Sequence, residues 1–276
     1  MTFKRFIGAA ILGSAILATP VLTASQAEAK LFCSNDGKRF NEWKAAFKKE
    51  YAGKYKASTL KKLDRVKYST KVIKLDRNNK KSFKGTFESF YKRRANGVAR
   101  IARKKWKQYK TYFDRAEKQF GVPAEMLLSI WGLETAFGTF KGRPLPILQS
   151  VATLAYDCRR SESLFFPELL AALTIIDKGL IDLEKAKGAW AGEIGQTQFL
   201  ATRFLQSRTD YDGGGVNVFT SAPDVIGSTA KWFAVNGWQR GQDYSEGTAN
   251  YRVIMKWNRA TLYQKTIPRL AKEIKG

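Results

Sequence analysis

The chain has 276 residues with 49 Lys/Arg against 24 Asp/Glu, a formal net charge of +25, and no histidine. Without histidine, neither a Ser-His-Asp nor a Cys-His catalytic unit can be built, and zinc loses its commonest ligand. Acid–base chemistry near neutral pH must then come from carboxylates, lysine, tyrosine or cysteine with shifted pKa values.

Residues 1–29 carry Lys4 and Arg5, then the apolar run "IGAAILGSAILATPVL", then "AEA" at Ala27–Ala29. That order predicts a secretory signal peptide cut after Ala29 and places the mature protein in the periplasm. The apolar run is shorter than the roughly 20 residues of a membrane span. Two cysteines follow, Cys33 and Cys158. In an oxidising compartment they permit one disulfide, the other reading being two free thiols.

"NEWKAAFKKEYAGKY" predicts a helix from near Asn41, with Trp43, Phe47 and Tyr51 at i, i+4 and i+8 and Gly53 near its end. "KVIKL" reads as a short extended piece. From Ser82 to Phe120 runs a basic and aromatic helical tract whose only interruption is Gly97. Residues 30–120 hold 29 Lys/Arg and 8 Asp/Glu, whereas 121–276 hold 18 and 15, so the positive charge belongs to the first part. For an exported chain this suits anionic wall or a membrane surface, or simply a solvated face, and no nucleic acid is expected. The chain divides into the leader 1–29, a basic helical region 30–120 and a second region 121–276, expected to act as a monomer.

In "GVPAEMLLSIWGLETAFG", Pro123 and Glu125 open a helix that Gly138 should end. Glu134 lies on a face shared with Leu127, Ile130, Trp131 and Phe137, where desolvation raises a carboxyl pKa. It is either an acid able to protonate a leaving oxygen or a buried carboxylate paired with an arginine such as Arg159 or Arg160. A helix entered at Ser161 and stopped at Gly179 comes next. "GAWAGEIGQTQF" is a glycine-rich turn whose Gln196 and Gln198 suit sugar hydroxyls and acetamido groups. A helix capped by Ser221 and Asp224 ends at Gly237, and "NRATLYQKTIPRLAKEI" forms the last. Trp190, Trp232, Trp238, Trp257 and Tyr263 supply rings for a sugar or for the core.

"GVPAEMLLSIWGLETAFG", "QSVATLAYDCRRSESLFFPELLAAL", "KGAWAGEIGQTQF" and "PDVIGSTAKWFAVNGW" follow one another with an order and spacing that resemble the lytic murein transglycosylases of the membrane-bound lytic transglycosylase B type. "FNEWKAAFKKEYAGK", "VIKLDRNN" and "KWNRATLY" extend the likeness over nearly all of the mature chain. The resemblance implies a mainly α (α+β) fold, a lysozyme-like transglycosylase core behind an N-terminal basic helical region, and no cofactor. It also implies non-hydrolytic cleavage of the MurNAc–GlcNAc β-1,4 bond of peptidoglycan, leaving 1,6-anhydromuramoyl ends. The family's single catalytic Glu falls on Glu134, acid then base. Its substrate contacts fall on Arg159 or Arg160, Gln198, Asn258 and Tyr263, and two cleft tyrosines become Trp232 and Trp257.

Ala189 stands where the family has serine, and Glu193 where it has alanine. Glu193 motivates a second enzyme reading, a hydrolytic muramidase with two carboxylates. Both changes motivate a third, a non-catalytic peptidoglycan-binding or scaffold protein. The segment "DYDGGGVNVFTS" keeps Asp210 and Asp212 of a calcium-type loop, but Gly214 and Ser221 stand at ligand positions, so no metal is expected.

Overall fold

The computed structural model describes residues 31–78, 85–139, 142, 144–160 and 164–276. The expected leader, the start of the tract at Ser82 and the helix entry at Ser161 lie outside them. Residues 31–276 form one compact unit. Its elements are α1 (Phe40–Glu50), α2 (Ala57–Lys61), α3 (Thr70–Asn78), α4 (Phe87–Ala95), α5 (Val98–Gln108), α6 (Lys110–Phe120), α7 (Ala124–Thr135), β1 (Leu145–Pro146), α8 (Ile147–Tyr156), α9 (Phe166–Asp177), β2 (Lys187–Gly188), α10 (Ala201–Ser207), α11 (Ala222–Val235), α12 (Ala249–Trp257) and α13 (Thr261–Lys275). The two short strands pair antiparallel, Leu145 opposite Gly188 and Pro146 opposite Lys187, which draws the loop after β2 onto the start of α8. Among the described residues no helix is long and apolar enough to cross a membrane.

A helix that is apolar all round must be surrounded by others. α7 is that helix: α4, α5, α6, α11 and α13 all pack on it. Every one of its residues is buried except Glu134. The boundary expected at 120/121 falls inside this packing, because α5 and α6 rest directly on α7. At the N-terminal end, Phe40 stacks on Trp43 with ring centroids 5.6 Å apart, and both rings meet Tyr156 of α8, at 5.2 and 5.5 Å. Cys33 and Cys158 are joined in a disulfide with Cα atoms 4.9 Å apart.

Three local expectations change. "KVIKL" is helical, inside α3, where Val72 and Asp76 are buried four residues apart on one face. The basic tract breaks twice, at Asn96–Gly97 and again at Tyr109, because each helix turns to keep its own apolar face on the core. α7 ends before Gly138: Ala136 and Phe137 already take left-handed backbone, at φ 49° and 61°.

Candidate active site

The end of α7 is held by side chains rather than by a glycine stop. Thr135 Oγ1 accepts from the Gly138 amide at 3.0 Å and donates to the Gln196 carbonyl at 2.6 Å. Gln196 braces the same point: its Oε1 accepts from Trp131 Nε1 at 2.8 Å and its Nε2 donates to the Phe219 carbonyl at 2.9 Å. Gly138 is needed beside it, since a Cβ there would lie 2.3 Å from Gln196 Oε1. Non-glycine residues with positive φ are costly by about 1–3 kcal/mol and persist where their surroundings over-determine them. These bonds do so here, and they fix the direction in which Glu134 leaves the helix.

Glu134 is half-buried. Its Oε1 accepts two hydrogen bonds, from Tyr263 Oη at 2.8 Å and Trp257 Nε1 at 3.0 Å. Oε2 has no hydrogen-bond partner among the described residues. Burial pushes the carboxyl above its ordinary range, against the opposing pull of the two donors and of the Arg94 and Arg203 charges. With both donors on one oxygen, the neutral acid carries its proton on the other, the oxygen left free for a ligand. The arginine-paired alternative for Glu134 is not what forms. Arg160 instead donates to Asp76 Oδ1, from Nε at 3.0 Å and Nη2 at 2.8 Å, and Arg159 Nη1 lies 3.5 Å from the same carboxylate. Arg77 bridges Asp76 and Asp157, both at 2.6 Å. Two fully buried acids thus anchor three arginines whose side chains remain 30–40% exposed.

The other sequence candidates separate into struts and open groups. Gln196 has both amide atoms engaged by the protein, so it is a brace. Gln198, at φ 53° in the tight loop Gly195–Gln198, has a side-chain amide with no hydrogen bond among the described residues. Gly195 allows that loop, because a Cβ would meet the Val218 carbonyl oxygen at 2.6 Å. Asn258 caps α12; its Oδ1 accepts from the Ala260 amide at 2.9 Å, while its Nδ2 has no partner among the described residues. Trp232 and Trp257 do not offer faces for stacking on a sugar. They are 2% and 4% exposed, meet each other edge-on at 4.9 Å, and pack with Phe233 and Phe199. Trp257 contributes its indole N–H instead. Tyr263, 2% exposed, contributes its hydroxyl, and burial with the adjoining Glu134 keeps its phenol well above the usual range.

Sequence reasoning missed Arg203, Arg94, Asp76 and Asp157. Arg203 donates to the carbonyls of Trp257 and Lys256, each at 2.9 Å, with its guanidinium 5.1 Å from the Trp232 ring. It positions the indole that touches Glu134. Arg94 Nη2 donates to the Leu133 carbonyl at 2.8 Å, one residue before Glu134. An arginine far along the chain carries no motif that would mark such a role.

A family profile described as Transglycosylase SLT domain matches residues 39–247. The chain belongs to the transglycosylase SLT domain family. One curated relative of this SLT chain, the membrane-bound lytic murein transglycosylase B of Escherichia coli (strain K12), is 34% identical over 136 residues. That match covers 49% of this chain and 37% of the relative, so the chain spans well under two thirds of the relative's length. SltB3 of Pseudomonas aeruginosa, solved in complex with NAG-NAM-pentapeptide, superposes with a TM-score of 0.78 at 25% identity, covering 87% of this chain and 80% of that one. The Escherichia coli lytic transglycosylase Slt35, solved in complex with calcium, superposes at 0.72 with 21% identity, covering 91% and 97%. The lysozyme-like transglycosylase fold is therefore shared.

Calcium calls for six to eight oxygens. In this SLT domain chain Asp210, Asp212 and Asp224 bring carboxylate oxygens within 4.8 Å of one another, so Asp224 adds an acid that the loop sequence did not reveal. All six oxygens already accept hydrogen bonds. Asp210 takes the Gly213 and Gly215 amides, Asp224 the Tyr211 and Asn217 amides, and Asp212 the Gly214 amide and the Ser221 hydroxyl. Asp224 faces this loop rather than the Ser221 amide of the expected capping box, of which only the Ser221 half forms. The three carboxylates are thus tied to their own loop, with Gly214 and Ser221 at the two positions where a calcium loop would supply further acids.

Proposed function

We propose that this chain is a lytic transglycosylase that cleaves the MurNAc–GlcNAc β-1,4 bond of peptidoglycan without water. The observation that carries the reading is Glu134 itself: a half-buried acid on an otherwise fully buried helix, its carboxyl pushed up by burial, with two donors on Oε1 and none on Oε2 among the described residues. As a neutral acid it protonates the glycosidic oxygen from Oε2, and the GlcNAc O4 leaves. The resulting carboxylate is stabilised by Tyr263 and Trp257 at the moment it forms. It then removes the proton from the muramoyl C6 hydroxyl as that oxygen attacks C1, which closes the 1,6-anhydro ring and restores the acid. One carboxylate changing role needs no partner at the separations used by two-carboxylate glycosidases.

The free amides of Gln198 and Asn258 suit sugar hydroxyl and acetamido groups. Arg159 and Arg160, held on Asp76, suit carboxylates of the substrate's peptide. The peptide-bearing disaccharide bound by the Pseudomonas aeruginosa relative supports that substrate class. The exposed cations of α4–α6, including Lys92, Arg93, Arg100, Lys104 and Lys107, support retention on anionic wall in the periplasm.

Digestion of purified sacculi, with the products weighed, tests the reading. Wild type should release 1,6-anhydro ends, and Glu134→Gln should slow release by at least about 100-fold. A wild type that releases nothing, or a Glu134→Gln variant of full activity, would refute it. Wall binding should weaken steeply as salt rises; no salt dependence would remove the basic helices from the account.

A further inference from the structure

Glu193 has no part in that mechanism, yet it stands on the loop that touches the site: three residues on, the Gln196 carbonyl accepts from Thr135 Oγ1 next to Glu134, and Ile194 bridges to Phe199, whose ring packs on Trp257. It is half-buried on the loop after β2. Its Oε2 accepts from the Ala191 amide at 2.9 Å, which pins the side chain, while Oε1 has no hydrogen-bond partner among the described residues. The charged and titratable groups around the pair divide unevenly. Tyr263 from α13, Arg203 from α10 and Arg94 from α4 act on Glu134, together with the Trp257 indole from α12. None of them acts on Glu193, where among the described residues the only outside charge felt is that of Glu134. A pinned carboxyl with one open oxygen, no cation beside it among the described residues, and the acid of the cleft as its neighbour forms no structural ion pair with any of them. Its open oxygen can hold a water.

We propose that Glu193 is a second carboxylate of the cleft that holds a water against the glycosyl C1, so that the enzyme divides its product between anhydro ends and hydrolysed, reducing ends. The inference rests on the reading of Glu134 given above. The step balances without any further reactant. Glu134 gives its proton to the leaving O4, the water oxygen bonds to C1 as the glycosidic bond breaks, and the water's proton passes to ionised Glu193. Proton return from Glu193 to Glu134 through solvent resets the pair. Such a base must be ionised. Burial, with the neighbouring Glu134 charge, pushes Glu193 up to about 7, against the pull of its own and the Ala191 amide. The reducing share should therefore grow as pH rises from 6 to 8.

The test is digestion of sacculi by the full chain in 18O-water at pH 6 and pH 8, against a no-enzyme control, with both kinds of end weighed. Wild type should give both, with the label at C1 of the reducing ends and a reducing share several-fold larger at pH 8. Glu193→Gln should cut that share by at least about tenfold while still releasing anhydro ends. The wild-type pH series stands without any variant. Anhydro ends alone at both pH values, or an unchanged share in Glu193→Gln, overturn the inference and leave the cleavage reading intact. A wild type that releases neither product refutes the cleavage reading and the inference with it.

Discussion

Tyr263→Phe isolates the force that sets the acid. The substitution keeps the ring in its buried site and removes one donor, at 2.8 Å, from Glu134 Oε1, leaving the Trp257 indole at 3.0 Å. A hydrogen bond to a charged group stabilises it by about 1.5–3 kcal/mol. At about 1.36 kcal/mol per pKa unit, losing the bond destabilises the carboxylate and raises the Glu134 pKa by a further 1–2 units, roughly. The sign follows from the chemistry. The first step needs the protonated acid, so activity is lost as pH rises through this pKa, and the descending limb of kcat/KM should move by about 1–2 units to higher pH. Tyr263 does not blur the result, because its own phenol is held well above its usual range and remains a donor throughout. The assay is the initial rate of clearing of a sacculus suspension from pH 4 to 10, with a thermal melt to show that the variant folds. A limb that stays within about 0.3 unit, or moves to lower pH, would show that Tyr263 does not bear on the proton of Glu134.

Glu193 goes from an ordinary value near 4.5 to about 7 on folding, so the native state binds a proton that the unfolded chain has lost over that range. Stability should fall as pH rises through it, and Glu193→Gln should exceed wild type by about 2–3 kcal/mol above pH 7 and match it below pH 4; urea melts at pH 4 and 8 check this, and equal gaps at both would contradict it. The disulfide closes a stretch of 125 residues, so a double Cys33→Ser, Cys158→Ser variant should lose about 4–5 kcal/mol by denaturant melt. A loss under about 1 kcal/mol would mean the unfolded chain is not constrained by it. Millimolar calcium should shift the thermal midpoint by less than about 1 °C; a larger rise would show that the Asp210–Asp224 loop accepts the ion after all.

Much of the fold is legible because its signals are local. The spacing of Trp43 and Phe47, the Ser221 cap and the stop at Gly237 each act within a few residues and appear where expected. "KVIKL" misleads because five residues with adjacent β-branched side chains cannot reveal their period, and Asp76, the residue that completes the buried face of α3, reads as a surface charge. Tyr109 carries no breaker chemistry; the helix ends there because α5 and α6 must each meet α7. The site was half visible. Glu134 stood out as an acid in an apolar helix. Its donors could be named by likeness but not paired with it, since Trp257 and Tyr263 lie 123 and 129 residues away. Trp232 looked like a sugar platform because sequence shows a ring without its packing. Arg159 and Arg160 showed their charge but not their anchor on α3.

The family match ends at residue 247, ahead of Trp257 and Tyr263 and of all of α13, which lies along α7. A fragment cut at that point would keep Glu134 and lose both groups that touch it, together with one wall of the helix that carries it. The acid is thus encoded midway along the chain and completed by its final segment. A nascent or C-terminally nicked molecule would hold the whole matched segment and still lack both donors to the acid, so the last two helices are where this site becomes complete.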